Sequence, residues 1–295
     1  MESLYFDFEK RYDPGSTYDF MVDLNYTLPF VSVVAYVLFC YYGQKMMKDR
    51  PAYDLRLTLA SWNLFLSLFS FYGAVRTVPH LFHRLTTVSF EETVCESPQV
   101  AFGCGAAGLA SQLFILSKLP ELLDTVFIVL RKKPLIFLHW YHHVTVLLYC
   151  WQSYVSQSSA GLYFIAMNYS VHAIMYFYYF LQATKSIPTW FPSWIITLAQ
   201  ISQMLMGCFI VTMSFYYHLF GGVQYAPGTC NNSLTTLAAG LTMYSSYLYL
   251  FVDFAVKRFI WKSHNSIIQC NNAKKQQKNT LTEQQQIMQE RIKAD

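Results

Sequence analysis

Seven apolar stretches separated by short polar loops constrain this 295-residue chain more than any other feature of its sequence. Each stretch meets or approaches the ~20 residues that a tilted helix needs to cross a bilayer. Only 13% of the residues are charged and 54% are hydrophobic, whereas about a quarter of the residues in a soluble domain are charged. We therefore expect an all-α integral membrane protein with seven transmembrane helices. The seven stretches are 26–43, 57–79, 102–130, 135–155, 162–183, 194–220 and 234–256.

Basic residues are concentrated in alternate loops, and this pattern predicts the orientation of the helices. Residues 1–25 are mainly acidic, whereas loops 44–56 and 131–134 are basic. The positive-inside rule then assigns the N-terminus to the lumen and the C-terminus to the cytosol. We expect a luminal segment at 1–25, a seven-helix membrane domain at 26–262 and a disordered cytosolic tail at 263–295. The net charge of +4 lies largely in loops and tail and predicts no nucleic-acid partner.

The loops assigned to the lumen carry two kinds of modification signal. Cys95 and Cys230 both fall in such loops, in a compartment where disulfides persist, so we expect them to pair. Asn25 and Asn231 begin Asn-x-Ser/Thr sequons on the same side and are predicted glycosylation sites. A third sequon, at Asn168, lies inside an apolar stretch and is discounted.

Three histidines inside the fourth stretch are the strongest functional signal. His139, His142 and His143 are spaced i, i+3 and i+4, so on a helix they share one face, within an arc of about 100°. Ionisable side chains are costly in a membrane and usually mark function there. The short loop 131–134 makes the third and fourth stretches a hairpin, which brings Asp124 to the depth of His142. An aspartate at that position can fix the tautomer of an imidazole.

Polar residues continue in the neighbouring stretches. Lys118, Glu121 and Asp124 follow at i, i+3 and i+6 near the end of the third stretch. Lys118 and Glu121 could simply neutralise each other, but intramembrane charges more often mark function. The sixth stretch adds Gln200 and Gln203, which are one turn apart. The fifth stretch carries a polar stripe at helical spacing, made of Asn168, His172, Met175, Tyr176 and Tyr179.

Other charges are harder to interpret from sequence. Arg76 is a cation inside the second stretch, and the sequence suggests no partner for it. Asp253 and Lys257 are spaced i, i+4 and are expected to pair. The basic residues in the loops and tail assigned to the cytosol follow the positive-inside rule. They would also suit a phosphate-bearing substrate such as CoA. They are Arg131, Lys132, Lys133, Lys185, Lys257 and Arg258.

These residues leave three functions open. The first is metal-dependent lipid oxidation of the desaturase or hydroxylase type, although only four of the eight histidines could converge with Asp124 on one metal. The second is covalent acyl transfer, in which a neutral imidazole attacks a thioester. His142, His172, Asp124 and either Asn168 or Gln200 fit that chemistry. The third is a seven-span receptor, which shares the topology but would carry Asp-Arg-Tyr and Asn-Pro-x-x-Tyr motifs that this sequence lacks.

The ordered motifs resemble those of the very-long-chain fatty-acid elongases (the ELO family), most closely the branch that acts on saturated and monounsaturated acyl chains. The similarity runs from the first stretch to the end of the seventh. The motifs are Lys118-x-x-Glu121-x-x-Asp124-Thr125, His139-x-x-His142-His143, Asn168-x-x-Val171-His172-x-x-Met175-Tyr176 and Gln200-x-x-Gln203.

This resemblance implies a fold of seven helices, six of which form a barrel around an acyl tunnel. It implies a 3-oxoacyl-CoA synthase that condenses an acyl-CoA with malonyl-CoA in the endoplasmic reticulum membrane, without metal or cofactor. The products would be a 3-oxoacyl-CoA, carbon dioxide and CoA. The expected partners are membrane lipids, the two substrates and other enzymes of the elongation cycle, and homo-oligomers are compatible with this. The tail residues Arg291 and Lys293 are similar to a lysine-based retrieval signal.

The resemblance also implies roles for the motif residues. His142 would bear the acyl group and His172 would work opposite it. His139 and His143 would tune protonation and position, and Asp124 would orient a histidine. The supporting residues would be the Lys118–Glu121 pair together with Asn168, Gln200, Gln203 and Tyr176, of which Asn168 and Gln200 would stabilise the thioester oxyanion or the malonyl enolate.

Overall fold

A computed structural model describes residues 5–24, 26–188 and 191–261, and within these ranges the chain forms helices and no strands. Asn25 and the tail residues 262–295, with the retrieval-like sequence, lie outside the described residues. The α-helices are α1 Asp7–Lys10, α2 Gly15–Asp23, α3 Thr27–Met47, α4 Arg56–Thr87, α5 Phe90–Cys95, α6 Pro98–Ala101, α7 Gly105–Ser117, α8 Leu123–Leu130, α9 Phe137–Val155, α10 Gly161–Thr184, α11 Trp194–Phe220 and α12 Leu234–Ala255.

The long helices occupy the seven predicted stretches, with α7 and α8 sharing the third. Three of them, α3, α4 and α11, are long and apolar enough to cross a membrane by length and composition. One end was predicted wrongly, because α4 continues through Pro79 to Thr87. His80, expected in a loop, is therefore helical, and its Nε2 lies 2.8 Å from the Ala101 carbonyl oxygen, a contact that ties the extra turns to α6.

The third stretch is broken because of Pro120. Proline has no backbone N–H and disrupts the preceding turn, so α7 ends at Ser117 and a 3-10 turn, Pro120–Leu122, precedes α8. The expected single span over 102–130 is therefore two short helices. Lys118 and Glu121 both lie in this break and both are buried.

Loops that were predicted to share a side of the membrane lie together in the structure. Lys132 Nζ donates to the carbonyl oxygens of Lys48 and Arg50, each at 3.0 Å, and so joins two of the basic loops. Arg56, at the end of loop 44–56, donates from Nε to the Ala183 carbonyl at 2.6 Å. This bond joins the same loop to the C-terminal end of α10. These contacts agree with the predicted alternation of the loops.

The predicted disulfide is confirmed: Cys95 and Cys230 are bonded and buried. Asn231 is folded against this bridge, since its backbone N–H donates to the Cys95 carbonyl at 2.9 Å. Its side-chain Nδ2 donates to the Gln157 carbonyl at 2.8 Å. Glycosylation at Asn231 and Asn25 stays a prediction.

The chain divides into two compact units, the first ending at Tyr249 and the second beginning at Leu250. The described part of the second unit contains the last turns of α12 and a π-helical turn, Val256–Trp261. Within it, the predicted pair forms, with Lys257 Nζ 2.7 Å from Asp253 Oδ2.

Arg76 has a partner that the sequence did not reveal. Its guanidinium donates to both carboxylate oxygens of Glu9 in α1, at 2.8 and 3.1 Å. Tyr72 donates a further hydrogen bond to Glu9 at 2.6 Å, and the ring of Tyr5 lies against the guanidinium. Because both charges are buried, this ion pair attaches the N-terminal segment to α4.

The surroundings of Glu9 also determine its ionisation. Burial alone would raise the pKa of this carboxyl, but hydrogen bonds from Arg76, Tyr72 and the Phe6 backbone amide outweigh burial and hold the pKa below its ordinary value of 4.5. A group whose pKa is lowered on folding contributes stability that is fully present above its unfolded pKa. The contribution of Glu9 is therefore present at neutral pH and is lost as the pH falls below about 4.5.

We predict that Glu9→Gln lowers the free energy of unfolding by about 3–5 kcal/mol, because it leaves the buried Arg76 cation uncompensated. The measurement is the thermal midpoint of the detergent-solubilised protein. Asp7→Asn is the matched control, since Asp7 is exposed and pairs with exposed Lys10. Adding Arg76→Met to Glu9→Gln should recover most of the loss. Equal midpoints for Glu9→Gln and Asp7→Asn would contradict the prediction.

Candidate functional site

A cavity of about 310 Å³ runs through the first unit. Its walls come from the segment before α3, from α6 and α7, and from α9 to α12. Along α9 the wall extends from His142 to Tyr154, a rise of ~18 Å at ~1.5 Å per residue. The α9 residues recur every three or four positions, as one helix face requires. They are His142, Val146, Tyr149, Cys150, Ser153 and Tyr154.

The three histidines of α9 fall into two environments. His142 lines the cavity, and its ring lies 5.1 Å from the ring of Tyr247 on α12. His139 points towards α8, where its Nε2 lies 2.9 Å from Thr125 Oγ1. His143 is buried, and its ring centroid is 4.5 Å from that of His139 and 5.5 Å from that of His142. The predicted cluster forms, with His142 as its member on the cavity wall.

A chain of hydrogen bonds links the helix break to α10. Lys118 Nζ lies 2.8 Å from Glu121 Oε1 and 3.4 Å from Asn168 Oδ1, so the predicted ion pair is confirmed and extended to α10. Because a lysine ammonium can only donate, the oxygen of Asn168 faces Lys118 and the amide nitrogen faces His172. That nitrogen lies 3.2 Å from His172 Nε2, which therefore accepts the hydrogen bond. Asn168 itself lines the cavity.

Asp124 contacts different groups from those expected. Its Oδ1 accepts a hydrogen bond from Trp62 Nε1 at 2.6 Å, and its Oδ2 accepts one from the Tyr176 hydroxyl at 2.7 Å. The carboxylate is thus bonded to these two donors instead of directly to a histidine. The cause is that α4 and α10 both present donors at this depth. Asp124 reaches the histidines through Tyr176, whose ring lies edge-on to His172 at 5.4 Å.

The two glutamines of α11 lie in different environments. Gln203 is buried and lines the cavity. Gln200, which was expected to stabilise an oxyanion, points its Nε2 at the sulfur of Met175 at 3.3 Å. Residues three apart on a helix differ by about 60° in direction, and this rotation separates the two amides. Met175, a member of the polar stripe of α10, therefore contacts α11 through Gln200.

The basic residues predicted to bind CoA divide into two groups. In the first group Lys132 binds backbone carbonyls, Lys257 pairs with Asp253, and the guanidinium of Arg258 lies 5.8 Å from the ring centre of Phe259. The second group consists of exposed or half-exposed loop residues, namely Arg131, Lys133 and Lys185.

The sequence missed several partners of these residues. Trp62 is one tryptophan in an apolar helix and carries no motif signal, yet it binds Asp124. Tyr36 on α3 shares a hydrogen bond of 2.8 Å with Thr125, which connects α3 to His139. Tyr247 donates to the His142 backbone carbonyl at 3.2 Å.

Across residues 5–24, 26–188 and 191–261, no three His, Cys, Asp or Glu side chains converge in a way that could hold a metal ion.

Comparison with known proteins identifies the family. The sequence model of the GNS1/SUR4 (ELO) family matches residues 21–266. A protein of Drosophila melanogaster is 43% identical over 260 residues, covering 88% of this chain and 80% of the relative. Proteins of Gallus gallus and Homo sapiens are 39% and 38% identical over 259 and 257 residues, covering 88% and 87% of this chain and 94% and 93% of the relatives. All three are named very long chain fatty acid elongase 6. This chain, in which three of the four motifs contribute a residue to the wall of one cavity, belongs to the ELO family.

Proposed function

We propose that this protein is a condensing enzyme of fatty-acid elongation that joins a long-chain acyl-CoA to malonyl-CoA. The observation that carries the proposal is a histidine, His142, on the wall of a long cavity that it shares with two amide side chains, Asn168 and Gln203. Family membership and the names of the relatives support this reaction over the desaturase and receptor alternatives.

In the first step the neutral imidazole of His142 attacks the thioester carbonyl carbon. A carbon–nitrogen bond forms, the carbon–sulfur bond breaks, and CoA leaves as a thiolate that takes up a proton. The product is an acyl-imidazole on His142. Tyr247 restrains the backbone of His142 through its hydroxyl, and its ring packs against the imidazole, so the nucleophile is held in place before the substrate arrives.

In the second step malonyl-CoA loses carbon dioxide, and the electron pair of the broken bond becomes an enolate. The enolate carbon attacks the acyl-imidazole carbonyl, a carbon–carbon bond forms, the carbon–nitrogen bond breaks, and the departing imidazole takes up a proton from water and becomes neutral. The product is a 3-oxoacyl-CoA two carbons longer than the substrate. The histidine is regenerated, so the cycle needs no external oxidant or reductant.

Asn168 supplies the electrostatic part of the proposal. Its oxygen faces Lys118 and one amide hydrogen faces His172, which leaves the second amide hydrogen for the cavity. A donor held at two points loses little entropy when negative charge develops on the thioester oxygen or on the enolate. Gln203 offers a second amide on the cavity wall. We assign the role expected of Gln200 to this residue.

His172 acts with Asn168 and Tyr176. Its Nε2 accepts from Asn168, so the proton of the neutral ring is on Nδ1. The Tyr176 hydroxyl is held by Asp124, and this fixes the aromatic edge against which His172 packs. His172 thus positions the amide donor opposite His142, and Asp124 acts as a positioning residue through Tyr176.

The direction of the cavity supports an assignment for CoA. The N-terminus of α9 follows the basic loop 131–134, and the cavity extends from His142 towards the opposite end of α9. A thioester held at His142 with its alkyl chain in the cavity would point CoA towards these loops. Arg131, Lys133 and Lys185 then suit the phosphates.

The reaction also has consequences for location and partners. An acyl chain of this kind is supplied from a membrane, and we propose the endoplasmic reticulum as the compartment. The 3-oxo group of the product must be reduced before another cycle can begin. A reductase that acts on 3-oxoacyl-CoA is therefore the class of enzyme that consumes this product.

We predict that microsomes containing the protein incorporate labelled malonyl-CoA into 3-oxoacyl-CoA when a saturated long-chain acyl-CoA is added. Incorporation should be unchanged by a strong metal chelator, because both steps are carried by side chains. Microsomes without the protein are the control. Chelator-sensitive consumption of oxygen without malonyl incorporation would support the desaturase alternative instead.

We predict that His142→Ala abolishes the covalent acyl adduct formed when the purified protein is incubated with acyl-CoA alone. The adduct is measured as a mass increase of the intact protein equal to one acyl group. His218→Ala is the control, because His218 lies at the far end of α11, next to the Cys230 carbonyl. Normal adduct formation by a folded His142→Ala protein would remove this residue from the proposed role.

We predict that Lys118→Gln lowers turnover by roughly ten- to a hundred-fold, the cost of misplacing a group near the reacting atoms by about an ångström. The KM for acyl-CoA should change little, because Lys118 is not on the cavity wall and acts through Asn168. The single change also leaves buried Glu121 unpaired. The double variant Lys118→Gln/Glu121→Gln should therefore regain thermal stability while turnover stays low. Recovery of both properties together would show that the pair serves stability alone.

A further inference from the structure

We propose that the N-terminal segment before α3 forms the floor of the cavity and so sets the length of acyl chain that the enzyme accepts. This inference rests on the proposed function and adds a specificity determinant to it. The residues concerned are Asp13, Pro14, Gly15 and Tyr18, all of which line the cavity. They belong to neither the seven predicted stretches nor the four motifs.

The floor lies at the end of the cavity opposite His142. The Tyr18 hydroxyl donates to the Val155 carbonyl at 2.9 Å, and Val155 is the last residue of α9. His142 lies near the first turn of the same helix. The two ends of the cavity are therefore separated by thirteen positions of α9, a rise of ~20 Å at ~1.5 Å per residue.

The segment is fixed to four helices. The buried Glu9–Arg76 pair joins it to α4. The Gly105 backbone N–H donates to the Tyr12 carbonyl at 3.0 Å and joins it to α7. On the C-terminal side of the floor, Met21 is fully buried in a cluster with Phe114 and other residues of α7, α9 and α10. A floor held on both sides resists displacement by an alkyl chain.

The length of the cavity converts into a number of carbons. Carbon–carbon bonds of ~1.5 Å at tetrahedral angles advance an extended chain by ~1.25 Å per carbon. A span of ~20 Å then holds an acyl chain of ~16 carbons between the carbonyl at His142 and the methyl end at Tyr18.

The floor also lies outside the residues that match the family. The ELO match begins at residue 21, after Tyr18. The residues that close the cavity are therefore not among those that the family model matches.

The test changes the depth of the floor in both directions. Gly15→Leu should raise the floor, because a Cβ at Gly15 meets only Asp13 Oδ1 at 3.5 Å and the backbone tolerates a side chain there. Tyr18→Ala should lower it. The controls are Val22→Phe and Phe20→Ala, which add and remove bulk on the exposed side of α2.

The measurement is malonyl incorporation by microsomes for a series of saturated acyl-CoAs of graded length, expressed as the ratio of rates between lengths. Loss of folding lowers all rates together, whereas a moved floor shifts the optimum. Gly15→Leu should shift the optimum about two to four carbons towards shorter chains, the reach of a leucine side chain. Tyr18→Ala should shift it towards longer chains, and both controls should keep the wild-type optimum.

The outcomes separate this inference from the proposed function. No incorporation by the wild-type protein at any length would overturn the proposed function. An active wild-type protein whose optimum is unmoved in Tyr18→Ala and in Gly15→Leu would overturn the floor and leave the function standing. If Gly15→Leu is inactive at every length, Gly15→Ala replaces it, because its single methyl makes only the ordinary contact with Asp13.

Discussion

Every charge inside this helical assembly has to be paired, because hydrocarbon offers neither water nor counter-ions. Lys118 is paired with Glu121 within the break between α7 and α8. Arg76 is paired with Glu9 from a separate segment. Asp124 is satisfied by hydrogen bonds from α4 and α10. Since each pairing fixes which helix faces which, the need to satisfy these groups determines much of the arrangement around the cavity.

The break at Pro120 is the local feature that makes this pairing useful. A continuous helix would satisfy its backbone and leave Lys118 and Glu121 as an ordinary i, i+3 pair on its side. The 3-10 turn instead buries both side chains and aims the ammonium at Asn168 of α10. A charge that is fully compensated within the break can thus orient an uncharged amide on the cavity wall. In the proposed mechanism, the position of the amide donor therefore depends on an ion pair that does not touch the substrate.

Sequence patterns predicted what is periodic and missed what is not. Residue spacing along the chain predicts the apolar stretches, the His139–His143 cluster and the Lys118–Glu121 pair. The predicted luminal location of two loops indicates the Cys95–Cys230 bridge. The Glu9–Arg76 pair joins residues 67 positions apart, and no periodicity connects them.

The remaining differences have the same origin. Gln200 and Gln203 differ by about 60° of helix rotation, which only packing resolves. Asp124 lies at the same predicted depth as the histidines, but depth does not show in which direction around the helix axis a side chain points. The donors that face Asp124 are Trp62 and Tyr176. The same reasoning explains why motifs can identify a reaction and not a chain length. The motif residues meet at one end of the cavity, whereas Asp13–Tyr18 closes the other end and carries no motif. On the proposed function, the reaction and the substrate length would therefore be determined by separate parts of the chain, which lie at opposite ends of α9.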